Sequence, residues 1–312
     1  MKHPFSFAFG LAVLASISLV SSVSAVVSID YVSVGNAGNA ADTTGFGAVG
    51  YDYKIAKNET TIGQYCEFLN AKAKSDPYGL YDSGMASVTT IAGISRSGSS
   101  GNYVYVPVPG TEYKPITYVG WFDAARFCNW IQNGQGSGST ETGAYTLNGA
   151  MTGIYTVNAG ATTWIPSANE WYKAAYYDAT KGGTGGYWKY ATQSNTLAGN
   201  TIGVPHSANY NDGNFVGYPG MALTDVGAYG ANSCSFYGTN DQGGNVWELT
   251  DADELRGGSW YGGEGSLLSS YRYGLGPLYG FYIGFRVASV PEPSCLVLTL
   301  LASGVLVTRR KR

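Results

Sequence analysis

Charge is what this sequence has least of. Only 12% of its 312 residues are Asp, Glu, Lys or Arg, about half the share of an ordinary soluble domain, which excludes charge-driven disorder and long charged helices. Basic clusters are missing from the body as well. With Lys2, Arg309, Arg310, Lys311, Arg312 and Glu292 set aside at the two ends, residues 26–290 keep 13 basic against 20 acidic side chains, a net charge of −7. Such a surface is a poor partner for nucleic acid, whose phosphates are neutralised by clustered Lys and Arg. Histidine is limited to His3 and His206, and cysteine to Cys66, Cys128, Cys234 and Cys295 with no C-x-x-C pair. That excludes a disulfide scaffold and leaves a zinc site or a His-ligated iron site almost without ligands. No repeat of 20 to 50 residues is visible, so a solenoid or propeller is not expected. What the chain has in excess is 45 Gly and 26 Tyr.

Long apolar runs are confined to the ends. Residues 1–25 read as a secretory signal: Lys2 opens it, Phe5 to Val20 is apolar or small, and Val23-Ser24-Ala25 supplies a cleavage site. At the other end, in residues 290–312, Val290-Pro291-Glu292-Pro293-Ser294 precedes an apolar helix over 295–307 and a basic end at 309–312. That helix is short for a full span, and its terminal cations are of the kind that snorkel and stay cytoplasmic. The three-part order resembles the PEP-CTERM sorting signal of Gram-negative bacteria. This resemblance implies a partner, an exosortase-type protease, and a chain that is exported, held in the membrane by the C-terminal helix, then delivered to the cell surface or extracellular matrix.

Between the ends, Tyr53 to Lys57 alternates like a strand. Thr61 and Gln64 form a capping-box signal for a helix with Ile62, Tyr65, Cys66 and Leu69 on one stripe. Trp121 to Gln132 reads as a second helix that turns Cys128 inward. Cys66 and Cys128 are either two buried thiols or, if their helices touch, a disulfide. Tyr145-Thr146-Leu147-Asn148 and Ile154-Tyr155-Thr156-Val157 look like two hairpin arms, and Ser167 with Glu170 starts a third helix running to about Tyr177. Ser75 to Gly110 reads as loops with short extended pieces, Asp178 to Gly238 as irregular, and Ile283 to Ala288 as a terminal strand. So few elements in so long a body fit neither a doubly wound sheet nor a barrel.

Five segments, read in order, carry a second resemblance: Tyr53 to Asn70 (YKIAKNETTIGQYCEFLN), Pro115 to Trp130 (PITYVGWFDAARFCNW), Trp164 to Ala175 (WIPSANEWYKAA), Asp241 to Thr250 (DQGGNVWELT), and Arg256 to Trp260 with Ile283 to Ala288 (RGGSW and IGFRVA). They are similar to the formylglycine-generating, sulfatase-modifying-factor family. The resemblance implies an α+β fold, irregular and loop-rich, with a C-type-lectin-like core. The domain is placed at 50–289, with residues 26–49 as a lead-in. It also implies a structural calcium held by Asp241, the backbone of Gly244 and Val246, and Glu248, with Asn209 in a second calcium site; the other reading of Asp241 and Glu248 is an ordinary turn with solvated carboxylates.

After RGGSW the sequence departs from the family's enzymes. Those hold a cysteine pair there that binds copper and engages the substrate cysteine, whereas no cysteine occurs between Ser235 and Ser294. No copper is therefore expected, since Gly and Leu offer no soft ligand. The family's iron-using branch takes its histidines from an added domain that this chain lacks, and His206 reads as a loop or core residue. Asp251, Asp253 and Glu254 read as a solvated turn or, less simply, a paired general acid and base. The ligand groove implied beside the motif comprises Arg256, Ser259, Trp260, Tyr261, Tyr271, Arg272 and Tyr273, with Tyr279 and Tyr282 further on; packing within a Gly-rich loop is the competing account of these rings. The functional expectation is a non-catalytic domain that binds a polysaccharide or a surface protein. An oxidoreductase of the family with altered chemistry, or a structural spacer, are the alternatives.

Overall fold

The computed structural model describes residues 26–88, 90–213, 223–252, 254–274 and 280–291. The signal segment 1–25, the apolar and basic parts of the tail, Asp253 and Tyr279 lie outside the described residues. In chain order the elements are β1 (Tyr31–Val34), β2 (Tyr53–Ala56), α1 (Ile62–Lys72), α2 (Gly84–Ser87), β3 (Ile94–Ser97), β4 (Val104–Pro107), α3 (Trp121–Gln132), β5 (Thr163–Trp164), α4 (Ala168–Tyr176), β6 (Tyr177–Asp178), β7 (Gly186–Tyr187), β8 (Trp247–Leu249), β9 (Leu255–Arg256), β10 (Ile283–Gly284) and β11 (Ala288–Ser289). Short 3₁₀ turns and loops join them. This is the mixed α+β, loop-rich, C-type-lectin-like architecture.

The helices begin where the local chemistry puts them. Thr61 Oγ1 accepts from the Gln64 N–H at 3.2 Å while Gln64 Oε1 accepts from the Thr61 N–H at 2.9 Å, and Ser167 with Glu170 repeats the exchange at 3.2 and 2.7 Å. Each pair satisfies two backbone donors that a helix start leaves without partners. α3 starts at Gly120, which has no side chain to cap with, so only the return half is made: Asp123 Oδ2 accepts from the Gly120 N–H at 2.9 Å.

α1 and α3 press their inner faces together. Phe68, Phe127, Trp130 and Phe285 meet at ring separations of 5.3–5.8 Å, within the range where edge and tilted contacts add to burial. Cys66 and Cys128 are both buried and both free, which makes them small core residues; burial pushes the Cys66 thiol up to about 12 and raises Cys128 as well.

Two sheets frame this core. The larger has the order β1-β2-β11-β5, antiparallel throughout, with Ala288 opposite both Ile55 and Trp164. β1 belongs to the expected lead-in 26–49, so that segment is an integral edge of the domain. The smaller sheet has the order β10-β8-β9, β10 running parallel to β8 and β9 antiparallel. The single terminal strand expected over Ile283 to Ala288 is therefore broken in two. Its ends pair in different sheets, and between them Phe285, Arg286 and Val287 are fully buried.

The hairpin expected from Tyr145-Thr146-Leu147-Asn148 and Ile154-Tyr155-Thr156-Val157 does not form. Asn129 intercepts the first arm: its Oδ1 accepts from the Tyr145 N–H at 2.8 Å and its Nδ2 donates to the Tyr145 carbonyl at 3.1 Å. A strand needs those groups for its neighbour; Ile154, in the second arm, is left 97% exposed.

Candidate functional site

The 241–248 turn is closed by its own backbone geometry. Asp241 and Asn245 both have φ of 58°, and Gly244 has φ of 88°, conformations that glycine reaches without cost and other residues reach under strain. At Gly244 a Cβ would come 2.2 Å from the Asn209 carbonyl oxygen. The two strands bridge there: the Asn245 N–H donates to that carbonyl at 2.8 Å and Asn209 Nδ2 donates to Asn245 Oδ1 at 3.0 Å.

A residue that sequence reasoning missed fills the inside of the turn. Glu59, 1% exposed, accepts from Asn245 Nδ2 at 2.9 Å and from the Val246 N–H at 3.2 Å. The signal that could have found it is a lone acid between a strand and a capped helix, in Asn58-Glu59-Thr60, where it serves neither cap. Glu248 is fully buried and held by Arg286, whose Nε and Nη2 reach its two oxygens at 2.5 and 2.7 Å; Trp171 Nε1 adds a third donor at 2.8 Å. The same guanidinium donates to the carbonyls of Ala56, Lys57 and Asn240 at 2.8–3.1 Å. Asp241 Oδ2 accepts from the Gly227 N–H at 2.5 Å.

Glu248 pairs with the guanidinium directly, while Glu59 and Asp241 lie close enough to feel its charge. Burial first, then the charges of Asp241 and Glu248, push Glu59 well above the usual carboxylate range. Burial, opposed by the Gly227 N–H and Arg286, raises Asp241 to about 6. Carboxylate and carbonyl oxygens are the donors a hard cation takes, but both Glu248 oxygens are already bonded to Arg286, with Trp171 as a third donor. The placement is that of a turn locked on itself, and among the described residues no three His, Cys, Asp or Glu side chains are gathered as an ion cage.

The groove expected beside RGGSW is narrower than its seven residues. Arg256, Ser259 and Trp260 are 1%, 1% and 2% exposed, so they are wall residues that no ligand touches from solvent. Gly257 and Gly258, with φ of 92° and 76°, fold the motif inward, and a Cβ on Gly257 would sit 2.7 Å from the Gln242 carbonyl oxygen. Arg256 spends its charge on Glu254 at 2.7 Å and lies over the Phe46 ring at 4.1 Å. Glu254 also takes Arg272 at 3.2 Å, which removes it from the solvated or acid–base turn expected with Asp251. His206 is a loop residue whose Nδ1 lies 2.7 Å from the Thr192 carbonyl oxygen.

What faces solvent is a row of rings. Tyr261, Tyr271 and Tyr273 are 47%, 42% and 43% exposed. Tyr271 and Tyr273 each lie tilted against the Trp247 ring, at 5.9 and 5.8 Å. Tyr261 stacks on Tyr282 at 6.3 Å and 9° and meets Phe281 edge-on at 5.3 Å. The Tyr282 carbonyl accepts from the Trp247 N–H at 2.8 Å, which joins the two groups across the β8–β10 pair. These rings pack on one another and remain about half open, so each of the two readings of the tyrosines describes part of the arrangement.

A short-stranded, loop-rich α+β core with a locked turn opposite an RGG motif defines a sulfatase-modifying-factor type of domain. The family model for the sulfatase-modifying factor enzyme 1-like domain matches residues 37–289, and the chain belongs to that family. Among solved structures, variable protein 1 of Treponema denticola is 17% identical with a TM-score of 0.50, covering 84% of this chain and 95% of its own. The crystal structure of CarF is 18% identical at 0.50, covering 86% and 100%. These likenesses concern the fold. No curated protein matches the chain.

Proposed function

We propose that this protein is an exported, non-catalytic binding domain whose ligand is a saccharide of the cell surface or its matrix. The observation that carries it is the row of half-exposed rings around Trp247, in a stretch with no cysteine from Ser235 to Ser294. Ring faces stack on the C–H faces of pyranoses, and tyrosine hydroxyls bond their edges, with little need of charge. The remaining body thiol, Cys234, is single and donates to the Ala231 carbonyl at 3.0 Å; burial raises its pKa, which lowers its thiolate character.

Export by residues 1–25 and retention by the Pro-Glu-Pro tail belong to the same reading, with an exosortase-type protease acting at the tail. Calcium is part of it too: Asp241, the Gly244 and Val246 backbone and Glu248 would hold the ion, in exchange for part of the Glu248–Arg286 pairing.

The test is retention of the full chain on matrix polysaccharide. Wild type should be retained, and the double variant Tyr271→Ala/Tyr273→Ala should lose at least about tenfold in retention while melting within a few degrees of wild type, as expected for half-exposed rings. Retention of a surface protein in place of glycan would redirect the reading, and oxidation of a cysteine-containing peptide by the purified chain would overturn it. Elemental analysis should find calcium and no stoichiometric copper.

A further inference from the structure

Next to the aromatic row the protein has a cavity of about 640 Å³, a size typical of small-molecule sites. Tyr118 connects the two, since it lines the cavity and also packs against the cluster of Trp260 and Phe281. The cavity wall is aromatic: Trp121 and Tyr155 stack at 6.2 Å and 24°, and Phe122 meets Tyr155 edge-on at 5.7 Å. Its rim carries Met151 and Ile154, 49% and 97% exposed.

The charge of this cavity has one sign. Asp82, Asp123 and Asp251 line it, and among the described residues no Lys, Arg or His does. Each carboxylate is anchored through one oxygen by a backbone N–H: Gly84 at 2.6 Å, Gly120 at 2.9 Å and Ala168 at 3.1 Å. The guanidinium of Arg126 lies behind the wall, 3.9 Å from the centre of the Tyr78 ring, and its charge is taken by Glu141 at 2.9 and 3.2 Å. Trp121, 7% exposed, closes the wall, with its indole nitrogen enclosed.

We infer that this cavity takes an amine-bearing saccharide, a hexosamine unit with its nitrogen free and protonated. This specifies the ligand of the binding function proposed above and rests on it. The rings offer faces to the sugar's C–H surface, and the three aspartates, each held at its own point of the wall, offer oxygens to its ammonium and hydroxyls. A uronic acid or a phosphorylated sugar would meet three carboxylates and no cation; an N-acetylated sugar would leave them without a counter-charge. Burial, with repulsion from Asp76 and Asp82 and despite the Gly120 N–H and Arg126, holds Asp123 at about 7. Burial, with Glu170 and Glu254 and despite the Ala168 and Ala252 N–H groups, holds Asp251 at about 6. An ammonium seated against either carboxylate lowers it, so its binding near pH 6.5 releases protons.

The experiment is calorimetric titration of the full chain at pH 6.5 and low salt with a glucosamine trimer, an N-acetylglucosamine trimer and a glucuronate trimer, in two buffers of different ionisation heat. The glucosamine trimer should bind at least about tenfold more tightly than the acetylated one, with buffer-dependent heat, and the glucuronate trimer should not bind. Asp251→Asn should close most of the gap between the first two; Asp82→Asn is the second variant should the first fail to fold. Equal or tighter binding of the acetylated trimer overturns the inference and leaves saccharide binding standing. Amine-selective binding untouched in both variants overturns it by placing the cation elsewhere. Binding by neither trimer also overturns it, while polysaccharide retention through Tyr271 and Tyr273 is judged separately.

Discussion

The turn at 241–248 and the aromatic row beside it are neighbours built on opposite principles. In the turn, polar groups are taken inside and paired: Glu248 with Arg286 and Trp171, Glu59 with Asn245 and Val246. In the row, Tyr261, Tyr271 and Tyr273 keep large surfaces open that a single further layer of chain would have covered. A buried ion pair adds little net stability, but removing one partner leaves a charge with no compensation. A half-exposed ring costs little to truncate and offers contact area to a ligand. One region holds the fold and its neighbour is available for binding.

That contrast is broken most severely at Arg286. Replacing Arg286 with Met should cost about 3–5 kcal/mol in denaturant unfolding, because Glu248 would stay buried without its counter-charge and three backbone carbonyls would lose a donor. Arg286→Lys should recover only a part, since an ammonium is a point charge without the two-pronged geometry. A loss below about 1 kcal/mol for Met would show that the pair is not what holds the two sheets together. Gly244→Ala should cost roughly 2 kcal/mol or more, from a positive φ and a Cβ at 2.2 Å from the Asn209 carbonyl.

Acid should sharpen the same comparison. Asp123, Asp241 and Asp251 are held at about 7, 6 and 6 in the folded chain, against about 3.9 unfolded. Between those values the folded state binds more protons than the unfolded, so stability contributed by these groups is full below about pH 4 and falls as pH rises to about 7. The metal-free protein should therefore melt higher at pH 5 than at pH 8. Calcium should shrink the difference by stabilising ionised Asp241, and Asp123→Asn should flatten the rest; an unchanged melting curve across that range would contradict the surplus of buried acid. The smallest effect is expected at Ser167→Ala, about 1 kcal/mol, from the loss of one cap.

How much of this was legible in advance depended on the distance over which each feature is made. α1, α3 and α4 start and stop close to where the sequence places them, because a capping box spans four residues and an apolar stripe repeats along one element. The break between β10 and β11 was not legible: Ile283 pairs with Trp247, while Ala288 pairs with Ile55 and Trp164, partners that no local pattern announces. The hairpin at 145–157 failed for a related reason, since Asn129, in another element, takes the backbone groups it needed. In the site, the motifs located the turn and the tyrosines. They did not distinguish Arg256, Ser259 and Trp260 from Tyr261, because burial is decided by what packs on top.

By itself the sequence determined the class of molecule. Its low charge, its Gly and Tyr content, its capped helices, the RGGSW and GNVWE segments and the missing cysteine pair are all properties of residue identity and near-neighbour spacing. Only the tertiary structure decided which carboxylates became structural and which line a cavity. Glu59, Glu248 and Asp123 are the same kind of group in the sequence, but Glu59 is enclosed by Asn245 and Val246, Glu248 meets a guanidinium 38 residues away, and Asp123 caps a helix beside open space. The physical reason is that a carboxylate's role is set by the desolvation and partners it finds, and both come from chain segments that only folding brings together.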